Sequence, residues 1–128
     1  MTIRGRYMLW PIAVAWLVGA GAANAQGDPE RGEKVFNKCK TCHVVEEAKN
    51  KIGPHLVGIF GRQAGVVDGF KYSDAMQSSG VVWDDETIAA YLRDPKGYIP
   101  GNRMAFVGLR KDDEIADLLA YLHEEGGS

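Results

Sequence analysis

The chain has very little cysteine: two residues in 128, both inside one stretch of five. None is left over for a structural disulfide. Positive charge is not in excess either. With 15 basic and 17 acidic residues the formal net charge is −2, which excludes a strongly basic nucleic-acid binder. No glycine-rich loop is arranged to cradle a phosphate. No segment alternates apolar and polar residues for long enough to predict a sheet. The longest apolar run, Met8 to Ala23, spans roughly 16 residues and is interrupted by Pro11, Gly19 and Gly21, which is short for a membrane-spanning helix.

The two cysteines lie in Cys39-Lys40-Thr41-Cys42-His43. Two cysteines separated by two residues, with histidine next, form the attachment pattern for a c-type haem. The chemistry requires that spacing. Residues three apart share one face of a helical turn, so both thiols reach the vinyl groups on one porphyrin edge and form thioethers. The following residue carries an imidazole under the iron. The alternatives are a redox dithiol or half of a zinc site. There is no second C-x-x-C, and a redox pair does not need the trailing histidine. A chain near 100 residues buries only a thin core by itself, and a large apolar cofactor at its centre would add to it.

Residues 1–25 read as a secretory signal peptide. Arg4 and Arg6 supply the positive start, Met8 to Ala23 the apolar centre, and Ala23-Asn24-Ala25 an A-x-A cleavage site. Cleavage after Ala25 makes residues 26–128 the mature domain. The competing reading is an uncleaved anchor. Export suits the motif, because bacterial haem attachment to C-x-x-C-H occurs outside the cytoplasmic membrane, where a free vicinal pair would tend to close into a disulfide. Removal of the leader takes two of the 15 basic residues, leaving 13 against 17 acidic and a charge near −4.

The rest reads as helices joined by irregular loops. Asp28-Pro29-Glu30 opens a helix expected over Pro29 to Lys40, with Gly32, Val35, Phe36 and Cys39 on one face. Gly32 inside a helix is costly and points to close approach by a second helix. Val44 to Arg62 is a packed loop rich in glycine and proline. A metal-bound histidine usually donates its other ring N–H to a carbonyl, and Pro54 is a good partner for His43. His55 is expected to be a surface or packing residue, and His123 to be solvated. A short helical piece is predicted over Ser73 to Ser78. A helix capped by Asp84 follows and ends at Asp94-Pro95, before a turn-rich segment to Phe106. The last helix is capped by Asp112, carries the stripe Ile115, Leu118, Leu119 and Leu122, and stops at Gly126-Gly127.

An iron held by His43 needs a sixth ligand or an open position, and that choice decides the function. The candidates are Met76, Met104, His55, His123 or nothing. Met104 stands out because it sits in an irregular loop after Pro100-Gly101 rather than on a helix, where a methionine is usually core filler. A thioether favours ferrous iron and raises the potential. With both axial positions filled, one-electron transfer is the chemistry that remains.

Over essentially the whole mature chain the sequence resembles the class I c-type cytochromes, the group of mitochondrial cytochrome c and bacterial cytochrome c2. The resemblance is carried in order by Gly27-Asp28-Pro29-Glu30-Arg31-Gly32, the C-K-T-C-H motif, Gly53-Pro54-His55-Leu56-Val57-Gly58-Ile59-Phe60-Gly61-Arg62, Gly69-Phe70-Lys71-Tyr72-Ser73-Asp74-Ala75, Trp83, Tyr98-Ile99-Pro100-Gly101-Asn102-Arg103-Met104 and Asp117-Leu118-Leu119-Ala120-Tyr121-Leu122. It implies an all-α cytochrome c fold: three main helices plus short helices and loops around one covalent haem c. The first and last helices cross, with Gly32 and Phe36 against Leu118 and Tyr121. It implies thioethers at Cys39 and Cys42 and axial ligation by His43 and Met104. Pro54 orients His43. Arg62, Tyr72 and Trp83 surround the haem propionates, Tyr91 bonds near the Met104 sulfur, and Phe106 packs at the exposed haem edge. Two positions depart from the family's usual pattern. Asn102 with Arg103 replaces Thr followed by Lys, and Met76 stands where mitochondrial relatives commonly have Asn.

The family docks through basic residues around the haem edge. The matching positions here include Lys34, Lys38, Lys51, Lys96, Arg103, Arg110 and Lys111, seven of the 13 basic residues of a net-acidic mature chain. The resemblance therefore implies a soluble, monomeric periplasmic electron carrier, not an enzyme, with membrane redox complexes as partners. A cytochrome bc1 complex or a periplasmic dehydrogenase is the expected donor. A terminal oxidase or a photosynthetic reaction centre is the expected acceptor. No nucleic acid and no small-molecule substrate is implied. A haem peroxidase or a gas sensor would need an open iron position.

Overall fold

Asp28 opens the first helix by accepting the amide protons of Glu30 and Arg31 at 2.8 and 3.1 Å, with Pro29 at the first helical position. The computed structural model describes residues 27–126 together with Gly5, Pro11, Ala13 and Val14. Apart from those four residues, the expected leader and its cleavage point after Ala25 lie outside the described residues.

Among the described residues five helices follow in order: α1 (Pro29–Phe36), α2 (Asp74–Gln77), α3 (Asp85–Arg93), α4 (Pro95–Tyr98) and α5 (Asp112–Gly126). Helix α1 is shorter than the expected run to Lys40. After Phe36 the amides reach back three residues as well as four: Lys38 to Val35 at 3.1 Å, Cys39 to Phe36 at 2.7 Å, Lys40 to Phe36 at 3.0 Å. The tightened turns continue through the two cysteines, with Cys42 and His43 both bonded to the Cys39 carbonyl at 3.0 and 2.9 Å.

Ser73 caps α2, and Asp84 with Thr87 forms a reciprocal capping box on α3, its two bonds 2.8 and 2.9 Å long. Asp94-Pro95 ends α3 as expected, but it also starts α4. The Asp94 carboxylate accepts from Gly97 N at 3.1 Å, and proline needs no amide partner at that position. Asp112 is the first residue of α5 rather than its cap. Its carboxylate takes the Arg93 guanidinium at 2.8 Å instead, tying the end of α3 to the start of α5.

Helices α1 and α5 cross in contact, as Gly32 suggested. A Cβ at Gly32 would collide with the Asp117 carbonyl and lie 2.7 Å from Tyr121 Cβ. One turn on, the Phe36 and Tyr121 rings pack 5.3 Å apart. The buried Asp117 carboxylate locks the crossing. It accepts from Asp28 N at 2.7 Å and from Arg31 Nε and Nη2 at 3.0 and 3.1 Å.

Two apolar clusters result. One joins Phe36, Val45, Leu109, Ile115, Leu118, Tyr121 and Leu122. The other joins Ile59, Ala64, Trp83, Ile88, Tyr91 and Ile99. Among the described residues there is no strand, only an isolated antiparallel bridge between Gln63 and Val82. It lets the Arg62 and Trp83 segments exchange bonds, with Trp83 N on Arg62 O at 2.8 Å and Gly61 N on Trp83 O at 2.6 Å. Among the described residues no helix is long and apolar enough to cross a membrane.

Candidate cofactor site

A cavity of about 240 Å³ lies where the two clusters meet. Phe36, Leu118 and Leu122 come to its wall from the first cluster, and Ile59, Trp83, Ile88 and Tyr91 from the second. Of the expected site residues, Cys42, His43, Pro54, Arg62, Tyr72, Trp83, Tyr91 and Met104 all line it. Cys39 and Phe106 do not. Both are half-buried and pack against the Phe36–Leu118–Tyr121 cluster.

The His43 ring is fixed from the loop that follows it. Its Nδ1 lies 2.7 Å from the Pro54 carbonyl. A carbonyl only accepts, so Nδ1 carries the proton and Nε2 keeps a free lone pair. Burial lowers the pKa of His43 and the nearby Arg62 charge adds to this, against the opposing pull of the Pro54 carbonyl. A neutral imidazole with a free Nε2 is the form that ligates a metal. Gly53 makes the approach possible. A Cβ there would press on the ring, 2.8 Å from Nδ1. Gly53 N in turn bonds the Cys42 carbonyl at 2.8 Å, which ties this loop to the cysteine turn. Both cysteines are half-buried and neither is in a disulfide, which leaves both sulfurs available for thioethers.

Met104 reaches the cavity from the segment between α4 and α5. Asn102 shapes that segment. Its Nδ2 donates to the carbonyls of Pro95 at 2.7 Å and Ile99 at 2.8 Å, and its Oδ1 accepts Met104 N at 2.9 Å. The Tyr91 hydroxyl contacts the same Oδ1 at 3.3 Å and the Met104 sulfur at 3.9 Å. Burial raises the Tyr91 phenol to about 12, so it keeps its proton and remains a donor. Sequence reading noted Asn102 only as a departure. The available signal was its residue type, since a turn asparagine commonly binds the backbone amide two residues on.

Besides His43, Trp83 and Tyr91, polar groups on the wall come from Arg62, Lys71, Tyr72, Ser73 and Arg103. Burial lowers the pKa of Arg62 and raises that of Tyr72. Lys71 was not singled out from sequence. Met76, the other candidate thioether, also lines the cavity.

His55 does not line the cavity. It spans its own turn, with its Nδ1 accepting Val57 N at 3.2 Å. His123 is exposed as expected but is engaged as well. Its Nε2 meets Asp85 Oδ1 at 2.6 Å, and its ring stacks 3.6 Å from that of Phe60, 7° from parallel. The seven expected docking cations are all exposed. Among the described residues none is in an ion pair; the cations that pair are Arg31, Arg93 and His123.

This donor set fits a haem. The wall is predominantly apolar, as a flat macrocycle requires. It offers an imidazole nitrogen and a thioether for iron, a cysteine for covalent attachment, and cationic and hydroxyl groups for ring carboxylates.

Comparison with known proteins agrees with this chemistry. The cytochrome c family model matches residues 29–125. The chain is 54% identical over 101 residues to cytochrome c type-1 of Ascaris suum, covering 78% of this chain and 90% of that protein. It is 44% identical over 109 residues to cytochrome c2 of Blastochloris viridis, covering 84% and 86% respectively. Among solved structures, cytochrome cH from Methylobacterium extorquens superposes with a TM-score of 0.72 at 42% identity, over 77% of this chain and 99% of that one.

Proposed function

The chain belongs to the cytochrome c family, and on that premise we propose that it is a soluble periplasmic one-electron carrier with a His43/Met104-ligated haem c. The family carries one covalently attached haem c and transfers electrons rather than catalysing a reaction, and so does this chain. The bound haem iron supplies reversible one-electron chemistry between its ferrous and ferric states. The residues do the rest. Cys39 and Cys42 hold the ring by thioethers. His43, oriented through Pro54 and given room by Gly53, would supply Nε2 to the iron. Met104 would supply its sulfur to the iron and so favour the ferrous state. Arg62, Tyr72 and Trp83 would hold the ring carboxylates, and Phe106 would pack at the exposed ring edge.

The observation that carries the reading is the convergence of His43 and Met104 on one apolar cavity, with His43 already held through Nδ1 at 2.7 Å. With His43 and Met104 both holding the iron, oxygen and peroxide would find no open coordination site. That sets the carrier apart from a peroxidase or a gas sensor. Residues 1–25 serve as the exported leader, and 26–128 as the mature domain in the periplasm. The seven exposed cations, unpaired among the described residues, form the docking face for acidic membrane partners. These are a cytochrome bc1 complex or periplasmic dehydrogenase as donor, and a terminal oxidase or photosynthetic reaction centre as acceptor.

The test is a reversible redox titration of the purified protein, following the weak methionine-to-ferric-iron absorption band. A single one-electron wave with the band present in the oxidised form is expected. A band that survives in Met104→Ala, or a multi-electron wave, contradicts the assignment.

A further inference from the structure

Asn102 makes more contacts than a surface turn needs. One side-chain amide joins four groups. Its nitrogen holds the carbonyls of Pro95 and Ile99, at the two ends of α4, at 2.7 and 2.8 Å. Its oxygen takes the Met104 amide at 2.9 Å and the Tyr91 hydroxyl at 3.3 Å. Tyr91 meets the Met104 sulfur at 3.9 Å. The methionine is thus constrained twice through the same side chain, at its backbone and at its thioether. Met76 lines the same cavity with its amide on Ser73 Oγ at 3.1 Å, but among the described residues no hydrogen bond reaches its sulfur. The first two bonds fix the turn, and the second two fix where the sulfur can go.

We propose that Asn102 is the positioning residue for the Met104 thioether, setting how firmly the sulfur stays on iron and so the redox potential and the resistance of the iron to outside ligands. The proposal rests on Met104 being the sixth ligand. Without the Asn102 side chain the Met104 amide loses its partner, the carbonyls of Pro95 and Ile99 keep only their backbone amide partners, and Tyr91 keeps only the weaker sulfur contact. The loop then opens more often. A ligation equilibrium weakened by a few hydrogen bonds should shift by about tenfold or more.

The experiment uses the holoprotein. Imidazole is titrated into the ferric form, and the methionine-to-iron band and midpoint potential are recorded for wild type, Asn102→Ala, Asn102→Thr, Tyr91→Phe and Met104→Ala. We expect Asn102→Ala to bind imidazole about tenfold more tightly than wild type, with a weakened band and a lowered potential. Asn102→Thr should recover much of the wild-type behaviour, since a hydroxyl can accept from Met104 N and donate to one carbonyl. If Asn102→Ala does not fold, Asn102→Thr and Tyr91→Phe still decide, because each must then fall between wild type and Met104→Ala. A purely structural role predicts a lower melting temperature with wild-type imidazole affinity, band and potential, and that result overturns the proposal. If Met104→Ala itself keeps the band and the wild-type imidazole affinity, the ligand assignment has failed, and the proposal fails with it.

Discussion

His43 Nδ1 donates to the Pro54 carbonyl at 2.7 Å, across a loop that Gly53 keeps free of a side chain. This contact fixes the tautomer, turns Nε2 to the cavity, and joins the cysteine turn to the glycine-proline loop. Under the proposed ligation the site's precision depends on it, because a metal-bound imidazole that rotates changes both ligand strength and potential.

Gly53→Ala tests this arrangement. The added methyl overlaps the imidazole, and either the ring or the loop has to move. We expect a stability loss of about 1–3 kcal/mol, typical of overpacking, together with a lower yield of attached haem. Thermal unfolding and the ratio of haem absorbance to protein measure both. A wild-type melting temperature and full haem loading would refute the account of this glycine.

A second substitution probes the helix crossing. Gly32→Ala drives a methyl into the Asp117 carbonyl, which belongs to backbone and cannot rotate away. Separating α1 from α5 should destabilise by roughly 3 kcal/mol or more, at the upper end of overpacking effects. Denaturant unfolding reads the change. It should be accompanied by weaker packing of Phe36 on Tyr121, visible in the near-UV circular dichroism.

The pH dependence follows from Asp117. Its bonds from Arg31 and from Asp28 N hold its carboxyl below the ordinary value of 3.8, against a smaller opposing effect of burial. A depressed folded-state value means that this stability is fully present above the ordinary carboxylate range and is lost as pH falls through the folded value. Asp117→Asn should therefore lower stability at neutral pH and flatten the decline between about pH 5 and pH 2. Melting temperatures of both proteins across that range check it. Parallel curves would show that Asp117 does not contribute in this way.

Docking by charge predicts a salt effect. Electron transfer to an acidic partner should slow about tenfold or more from low salt to near 0.5 M, because screening removes the steering. Lys38→Glu with Arg103→Glu should reduce the slope. Stopped-flow rates at several ionic strengths supply the measurement, and a flat profile for the wild type contradicts the docking face.

Much of this was legible in the sequence because chemistry or periodicity demanded it. The C-x-x-C-H spacing follows from covalent attachment, so Cys42 and His43 meet at the cavity as expected. The stripe on α5, Ile115, Leu118, Leu119 and Leu122, runs over two turns and identifies its buried face, and Gly32 announced a crossing helix. Other features depended on tertiary contacts. The end of α1 at Phe36 reflects a change of hydrogen-bond register that leaves the residue pattern intact. Helix α4 is one turn long with a glycine in it, and stands on the shared cap of Asp94. Met104 was visible as a candidate, but the four-way bonding of Asn102 needed α4 to exist first. The His123–Asp85 pair joins residues 38 apart in sequence, which no local signal could have linked.

The most direct test of the central claim is addition of carbon monoxide to the reduced native protein. A carrier with Met104 on iron gives an unchanged spectrum, while Met104→Ala binds carbon monoxide promptly. Prompt binding by the native protein would mean an open or easily vacated position, and would contradict the electron-carrier account.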